Sequence, residues 1–157
     1  MLFINAICSS LPKYCSGADL RAITKSQQIC NQNVIMTIRE LNHVAIYVTD
    51  VKRSSEFYRD VLHLEQIPRP AFSFPGAWFR LGTTQELHLI ADHGAPFFRS
   101  NENNHFALRV DDLDAWERHL KNVGADFAPR KRRPDGAWQV FLRDPDGHVI
   151  ELFTPPA

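Results

Sequence analysis

The sequence predicts an α+β fold made of two tandem modules, each with the element order βαβββ. The first observation behind this is an internal repeat. The segment Asn-His-Val-Ala-Ile-Tyr-Val-Thr-Asp at residues 42–50 returns as Asn-His-Phe-Ala-Leu-Arg-Val-Asp-Asp at residues 104–112. The second observation is that the same succession of helical and strand patterns follows each copy. Such self-similarity indicates one supersecondary unit that occurs twice in the chain.

The first module opens with a predicted strand over residues 41–48. Its apolar residues Val44, Ile46 and Val48 alternate with other residues, which is the period of a strand with one buried face. Asp50 has the residue type and the position of a helix N-cap. The helix after it carries one inward stripe at i, i+3, i+4 and i+7 spacing, formed by Val51, Ser54, Ser55, Tyr58, Val61 and Leu62.

The second module repeats this order. Its first strand is predicted over residues 105–110, Asp112 caps its helix, and Gly124 ends that helix. The inward side of the helix is formed by Leu113, Trp116, Leu120 and Val123. An Asp-Pro-Asp-Gly turn joins the last two strands. The remaining strands of the two modules are predicted near residues 64–68, 78–81 and 86–90, and near 125–128, 138–143 and 149–153.

Four residues of metal-ligand type occupy matching positions on the first and last strands of the two modules: His43, His88, His105 and Glu151. In each of these strands the aliphatic neighbours lie at odd offsets, so the four side chains point away from the helices, towards the concave face of the sheet. Polar side chains on an inner sheet face need partners. One shared metal ion would satisfy all four, whereas the histidines at 63, 93, 119 and 148 receive no role.

The composition is that of a soluble globular protein, with 44% hydrophobic and 23% charged residues. A net charge of zero excludes a polycationic surface for nucleic acid. No run of about 18 apolar residues indicates a membrane span. The odd number of cysteines, Cys8, Cys15 and Cys30, argues against a closed disulfide framework and favours a reducing, cytoplasmic compartment.

Residues 1–35 differ from the rest of the chain, because they show no sustained helical or strand period. Met36 directly precedes a natural opening for the first strand. We therefore expect translation to start at Met36, or residues 1–35 to be a disordered tail. A targeting segment is the third alternative, since the apolar stretch 2–8 is short and has no basic residue before it. The domain proper then spans residues 36–157, with modules at about 39–91 and about 103–154.

Paired βαβββ modules with ligands on their first and last strands resemble the vicinal oxygen chelate superfamily, which includes glyoxalase I, fosfomycin-resistance thiol transferases and extradiol dioxygenases. The resemblance covers about residues 39–154. It is carried by Leu-Asn-His-Val-Ala-Ile-Tyr-Val at 41–48, by Phe57-Tyr58, and by Asp-Pro-Asp-Gly-His-Val-Ile-Glu-Leu-Phe at 144–153. It implies a glyoxalase-like fold, in which a curved mixed sheet surrounds a metal cavity. It also implies a small-molecule substrate and a homodimer.

The resemblance implies that His43, His88, His105 and Glu151 hold one divalent ion, and that Glu151 acts as general base in a lyase or isomerase step on adjacent oxygen atoms. Mixed nitrogen and oxygen ligands suit Ni, Co, Mn, Fe or Zn. Glyoxalase I usually has Glu where this chain has His88. The set of three histidines and one glutamate therefore carries one negative charge fewer and makes the ion a stronger Lewis acid.

The side chains expected to line the substrate cavity are Tyr47, Trp78, Arg80 and Arg109. The basic run at residues 130–133 is interpreted as solvated loop surface that could attract an anionic substrate.

Three alternatives stay open. Two histidines with Glu151 could form the facial triad of an Fe(II) dioxygenase, although extradiol enzymes usually have more modules. A fosfomycin-type thiol transferase keeps the histidines and the glutamate but usually carries Thr where this chain has Ala45. A module that only sequesters a small molecule, as in bleomycin resistance, generally lacks the metal residues.

Overall fold

The computed structural model describes residues 36–91 and 101–156. The chain divides into two units, Met1–Ile38 and Arg39–Ala157. In the first unit, the described residues Met36 and Ile38 are almost fully exposed. The expectations for residues 1–35, with their three cysteines, lie outside the described residues, as does the histidine at 93.

The second unit contains two four-stranded mixed sheets, which confirms the predicted α+β fold. The first sheet consists of β1 (His43–Val48), β2 (Gln66–Ile67), β3 (Gly76–Leu81) and β4 (Gln85–Ala91). Its strands lie side by side in the order β1-β4-β3-β2. The second sheet consists of β5 (His105–Arg109), β6 (Lys131–Arg132), β7 (Trp138–Arg143) and β8 (Val149–Thr154). Its strands lie in the order β5-β8-β7-β6. The first and last strands of each module are parallel neighbours, and the other pairs are antiparallel.

Both helices begin where the sequence predicts. Helix α1 (Val51–Glu56) is capped by Asp50 and continues as a π-helical turn, Phe57–Val61. Helix α2 (Leu113–Asn122) is capped by Asp112, whose carboxylate accepts the Ala115 N–H at 2.9 Å. Gly124 follows α2 with a φ of 67°, in the left-handed region that favours glycine. Within the described ranges, no helix is long and apolar enough to cross a membrane.

The predicted alternation of residues between a more buried and a less buried face is confirmed on β1, β4 and β5, whereas the first four residues of β8 are all buried. Val48, Leu87 and Leu89 are fully buried in the core, whereas His43 and Tyr47 on the opposite face of β1 are exposed. Each fully buried aliphatic side chain of this size stabilises the fold by about 1.5–3 kcal/mol. The core therefore fixes the register of β1 and β4, and with it the positions of the histidines on the other face.

The predicted position of the sixth strand is wrong. The residues near 125–128 form only an isolated bridge, Phe127 to Leu142, and the strand β6 is Lys131–Arg132, inside the basic run that the sequence analysis assigned to a loop. The reason is that β6 lies at the edge of its sheet, where exposed charged side chains are common. Val123 is also not inward: it is 45% exposed, because it is the C-cap beyond the last turn of α2.

A polar cluster connects α1 and the residues beside it to the turn before β8. Asp146 is buried and accepts hydrogen bonds from the Thr49 N–H and hydroxyl, from the Ser54 hydroxyl at 3.1 Å and from Arg53. Asp144 accepts a hydrogen bond from the hydroxyl of the fully buried Tyr58 at 2.9 Å. We call this cluster the interlock; its members are Thr49, Arg53, Ser54, Tyr58, Asp144 and Asp146. It ties the helix of the first module to the last hairpin of the second.

Burial and local partners shift the pKa values of the interlock residues. Burial raises the pKa of the Tyr58 hydroxyl well above its ordinary value, and the charge of Asp144 raises it further. Burial also raises the pKa of Asp144. For Asp146, burial alone would raise the pKa, but hydrogen bonds from Thr49 and Ser54 and the charge of Arg53 lower it below the ordinary value.

Candidate metal centre

The first two predicted ligands form a stacked pair on the first sheet. His43 on β1 and His88 on β4 have ring centroids 4.4 Å apart and planes within 14° of parallel. Trp78 on β3 is the register partner of His88, and its ring stacks on the same imidazole at 3.9 Å and 5°. Because β4 lies between β1 and β3, the His88 ring is held between His43 and Trp78.

The other two predicted ligands form a close pair on the second sheet. His105 on β5 has its Nε2 atom 2.9 Å from Oε2 of Glu151 on β8. Phe141 is the register partner of Glu151, and its ring meets the His105 ring edge-on at 5.2 Å. The two pairs correspond, since each has a histidine on the first strand, a ligand-type residue on the last, and an aromatic ring beside the latter.

Two of the histidines have one ring nitrogen engaged by an acceptor. Nδ1 of His43 lies 2.9 Å from Oδ1 of Asn42, and Nδ1 of His105 lies 2.7 Å from the carbonyl oxygen of Glu102. In His105 both ring nitrogens face oxygens, the Glu102 carbonyl at Nδ1 and the Glu151 carboxylate at Nε2, so a proton or a cation has to lie between Nε2 and the carboxylate. In His43 the Asn42 oxygen only accepts, so Nδ1 carries the proton and Nε2 presents a lone pair. This is the state in which a histidine binds a metal ion, with its other nitrogen donating to a protein oxygen.

His88 is oriented differently, and here sequence reasoning missed a residue. Its Nε2 atom lies 2.7 Å from Oε2 of Glu86 on the same strand. Glu86 precedes His88 by two positions and therefore shares its face of the sheet, which is the sequence feature that could have identified it. The carboxylate of Glu86 was not among the predicted site residues.

Glu151 provides the observation that tests whether these residues fit a metal ion. Its side chain is 5% exposed, and its Oε1 atom has no hydrogen-bond partner among the described residues. Nη1 of Arg133 lies 3.8 Å from this atom, beyond hydrogen-bond distance. A buried carboxylate oxygen without a partner is costly. The donor set fits a divalent cation, which would supply the missing partner.

One chain does not gather the four predicted ligands in a single cluster. Across residues 36–91 and 101–156, no group of three or more His, Cys, Asp or Glu side chains is placed to hold a metal ion. The structure brings together His43 with His88, and His105 with Glu151, as two separate pairs. Each pair includes one exposed histidine on an edge strand: His43 on β1 in the first pair and His105 on β5 in the second.

A cleft of about 770 Å³ runs between the two sheets. Its polar lining includes His43, Glu86, His105 and Arg109, and its remaining walls are largely apolar, with Val44, Phe106, Leu108 and Trp116 among them. Of the four predicted substrate-binding residues, only Arg109 lines it. Tyr47 is 51% exposed on β1, Trp78 packs on His88, and Arg80 pairs with Glu65 at 3.2 Å.

Three histidines without a predicted role hold structural positions. Nε2 of His119 lies 3.0 Å from the carbonyl oxygen of Val61, and the His119 ring packs against His63. Nε2 of His148 lies 2.6 Å from the carbonyl oxygen of Tyr47. These contacts join the two modules, and no local sequence pattern indicated them.

Curated relatives match most of the chain. A "Glyoxylase I 4" of Arabidopsis thaliana is 30% identical over 124 residues, which cover 73% of this chain and 70% of that protein. A metallothiol transferase FosB of Bacillus licheniformis is 27% identical over 124 residues, covering 73% of this chain and 74% of that protein.

Solved structures share the fold. A glyoxalase family protein of Bacillus anthracis superposes with a TM-score of 0.67 at 24% identity, covering 76% of this chain and 98% of that one. A lactoylglutathione lyase of Agrobacterium tumefaciens gives 0.61 at 25% identity, covering 76% and 96%. The sequence pattern of one family matches residues 40–152, which include all four ligand-type residues. The chain therefore belongs to the Glyoxalase/Bleomycin resistance protein/Dioxygenase superfamily.

Proposed function

We propose that this protein is a metal-dependent enzyme that carries out glyoxalase-like lyase or isomerase chemistry on a small molecule with adjacent oxygen atoms. The observation that carries the proposal is Oε1 of Glu151, which is buried and has no hydrogen-bond partner among the described residues, in a carboxylate whose Oε2 lies 2.9 Å from Nε2 of His105. The matching pair on the first sheet supports it. So does the similarity to the Agrobacterium lactoylglutathione lyase and to the Arabidopsis glyoxylase relative.

The residues that would hold the ion are His43, His88, His105 and Glu151. His43 and His105 offer Nε2, and Glu151 offers its carboxylate. When bound, a divalent ion of the group Ni, Co, Mn, Fe and Zn supplies a Lewis acid that polarises a substrate oxygen.

The proton transfer in this proposal belongs to Glu151. Its carboxylate is nearly excluded from water, and Oε1 has no protein donor that competes for its lone pairs. When partly released from the ion, it can take a proton from a substrate carbon and return it at a neighbouring atom. Arg109 on the cleft wall provides a positive charge for the developing negative charge on substrate oxygen.

We also propose that the centre is completed in a homodimer. The two ligand pairs are on separate sheets, and each borders an edge strand with an exposed histidine. A twofold axis that pairs these surfaces would place the first pair of one copy against the second pair of the other, and would do so twice. Two equivalent centres per dimer follow from this arrangement.

A second candidate function is metal-dependent thiol transfer to an anionic small molecule. The observation that favours it is the guanidinium of Arg133, whose Nη1 is 3.8 Å from the Glu151 carboxylate. A second cation, Lys131, is paired with Glu102 and has its Nζ 5.8 Å from the centroid of the Phe141 ring. The Bacillus relative is a metallothiol transferase. A substrate that carries a carboxylate or a phosphonate would suit these cations.

The test begins with metal analysis of the purified full-length chain, followed by reconstitution with each ion. Turnover of methylglyoxal–thiol adducts is then measured with and without oxygen. We expect about one ion per chain and oxygen-independent turnover, both lost in a His43→Ala variant. His63→Asn serves as the control, because His63 stands outside the ligand set and Asn tolerates its φ of 54°. Protein that takes up no ion contradicts the proposal and favours sequestration. Turnover that needs Fe(II) and oxygen indicates a dioxygenase.

A further inference from the structure

We propose that Glu86 is a positioning residue for the candidate metal centre: it fixes the proton of His88 on Nε2 and leaves Nδ1 as the ligand atom. This inference deepens the proposed function and rests on it. Glu86 itself touches neither substrate nor ion in the proposal. It acts only through His88.

The contact between the two side chains is short and sheltered. Nε2 of His88 and Oε2 of Glu86 are 2.7 Å apart, and their side chains are only 12% and 28% exposed. A hydrogen bond to a carboxylate is stronger than one to a neutral acceptor, and partial burial strengthens it further. The strand keeps the partners together, because residues i and i+2 of β4 point to the same face.

The donor and acceptor chemistry determines which nitrogen is available. An ionised carboxylate can only accept, so Nε2 of His88 carries the hydrogen and Nδ1 holds the lone pair. His43 has the opposite arrangement, with a neutral oxygen at Nδ1 and the lone pair on Nε2. His105 has a neutral oxygen at Nδ1 and faces the predicted ligand Glu151 with Nε2. His88 is therefore the one predicted histidine ligand whose second ring nitrogen, the one not offered to the ion, is bound by a charged acceptor.

The rings around His88 fix its plane as well. Trp78 stacks on it at 3.9 Å and His43 at 4.4 Å, both nearly parallel. A flip of the imidazole would keep these stacking contacts but would remove the hydrogen bond to Glu86. Stacking therefore selects the ring plane, and Glu86 selects between the two orientations within that plane.

A consequence for charge follows. Outer carboxylates orient a metal-bound histidine and raise its basicity, and their loss typically weakens metal binding 10–100-fold. The sequence alone indicated a centre with one acidic residue fewer than that of glyoxalase I. Glu86 brings a negative charge to the same strand, one hydrogen bond away from the centre.

The first test needs no metal. Long-range ¹H–¹⁵N NMR of the metal-free protein at about pH 8, where an ordinary imidazole is neutral, reports the tautomer of each histidine. We expect His88 with its proton on Nε2, a mixture of tautomers in Glu86→Ala, and the original tautomer in Glu86→Gln, whose amide oxygen still accepts. Glu56→Gln is the control, on an exposed α1 residue. A His88 proton on Nδ1, or a tautomer that Glu86→Ala leaves unchanged, overturns the proposal.

The second test is a double-mutant cycle on metal affinity. We expect Glu86→Ala to weaken binding of Co²⁺ or Zn²⁺ by about 10–100-fold and to have no further effect once His88→Ala is present. An equal loss in both backgrounds overturns a role through His88. If the unaltered protein binds no metal at all, the proposed function fails, and the tautomer measurement alone then decides the role of Glu86.

Discussion

At the scale of single residues, Glu151 shows a conflict between stability and function. Its carboxylate is buried, one oxygen lies 2.9 Å from Nε2 of His105, and the other has no hydrogen-bond partner among the described residues, with Nη1 of Arg133 3.8 Å away. A side chain chosen only for stability would not leave a charged oxygen in this state. Proteins keep such unfavourable groups mainly at functional sites.

Glu151→Gln should separate the two roles. We expect metal binding to fall at least about 100-fold, because a neutral amide replaces the one ligand carboxylate. We expect the unfolding free energy of the metal-free protein to fall by no more than about 1 kcal/mol, because the amide can still bond to His105 while a buried charge is removed. Metal analysis and urea unfolding of the same preparations measure both quantities.

Glu117→Gln is the matched control for this change. Glu117 is half-buried and paired with Arg130, far from the ligand pairs along the chain. It should lose a little stability and bind metal as before. Unchanged metal affinity in Glu151→Gln would show that the unpartnered oxygen is not a ligand.

At the scale of elements, the backbones of β3 and β4 approach each other at Gly76 so closely that no space is left for a side chain. A Cβ atom built there would lie 2.4 Å from the carbonyl oxygen of Leu89, a distance that no side chain movement can relieve. This close approach supports the strand that carries Trp78 against the strand that carries His88.

Gly76→Ala should therefore be strongly destabilising, by about 3 kcal/mol or more, since the backbone has to move. Gly124→Ala is the informative comparison. It meets open space but has a φ of 67°, so it should cost only about 1 kcal/mol through backbone strain. Thermal and urea unfolding of the two variants measure the difference, and equal costs would contradict the close-contact argument.

The interlock gives stability a dependence on pH whose sign follows from Asp146. The pKa of Asp146 is lowered in the folded state, so its ionised form stabilises the fold above the ordinary Asp pKa of about 3.9. That contribution disappears as the pH falls through the lowered value. Asp144 acts oppositely: its pKa is raised, so its contribution is complete below about 3.9 and is lost as the pH rises through the raised value.

Asp146→Asn isolates the first contribution. We expect it to cost about 2 kcal/mol near pH 7. The cost should begin to diminish below about pH 4, where Asp146 of the unfolded chain takes up its proton, and should vanish as the pH falls through the lowered pKa of the folded protein. Urea unfolding of both proteins between acid and neutral pH tests this, and a cost that does not change with pH would contradict the assignment.

The elements also show what could be predicted from sequence and why the rest could not. β8, whose first four residues are all buried, was located by the turn before it and by its match to the repeat. Alternation located β1, β4 and β5, because each packs the apolar side chains of one face inward and tolerates no shift of register. It failed for β6, a strand of two charged residues at a sheet edge that buries no aliphatic face. It also could not foresee the stacking of His43 on His88, which depends on side-chain orientation across two strands.

At the scale of the whole molecule, the repeat predicted that the four ligand-type residues occupy matching strand positions, but it did not predict their separation into two pairs. The repeat showed that the pairs are equivalent, and equivalence alone does not say whether they meet within one chain. Glu86 also escaped prediction, because its partner is His88 itself and its position has no counterpart in the second module, where Val149 stands.

Mixing of two inactive variants tests whether the centre is shared between copies. One variant combines His43→Ala with His88→Ala, and the other combines His105→Ala with Glu151→Gln. If each centre takes one pair from each copy, refolding an equal mixture should restore about a quarter of the metal sites, since half of the dimers are mixed and each has one intact centre. Metal analysis after gel filtration measures this. Recovery of no sites would show that both pairs come from the same chain.

The interlock has a consequence for how the chain folds as it is synthesised. The partners of Thr49, Ser54 and Tyr58 are Asp144 and Asp146, whose codons follow almost a hundred positions later. The fully buried Tyr58 hydroxyl has no acceptor until that hairpin has left the ribosome, so the first module cannot complete its core during translation. A nascent chain released before the second module should thus be a substrate for chaperones and proteases, although its repeat unit is complete.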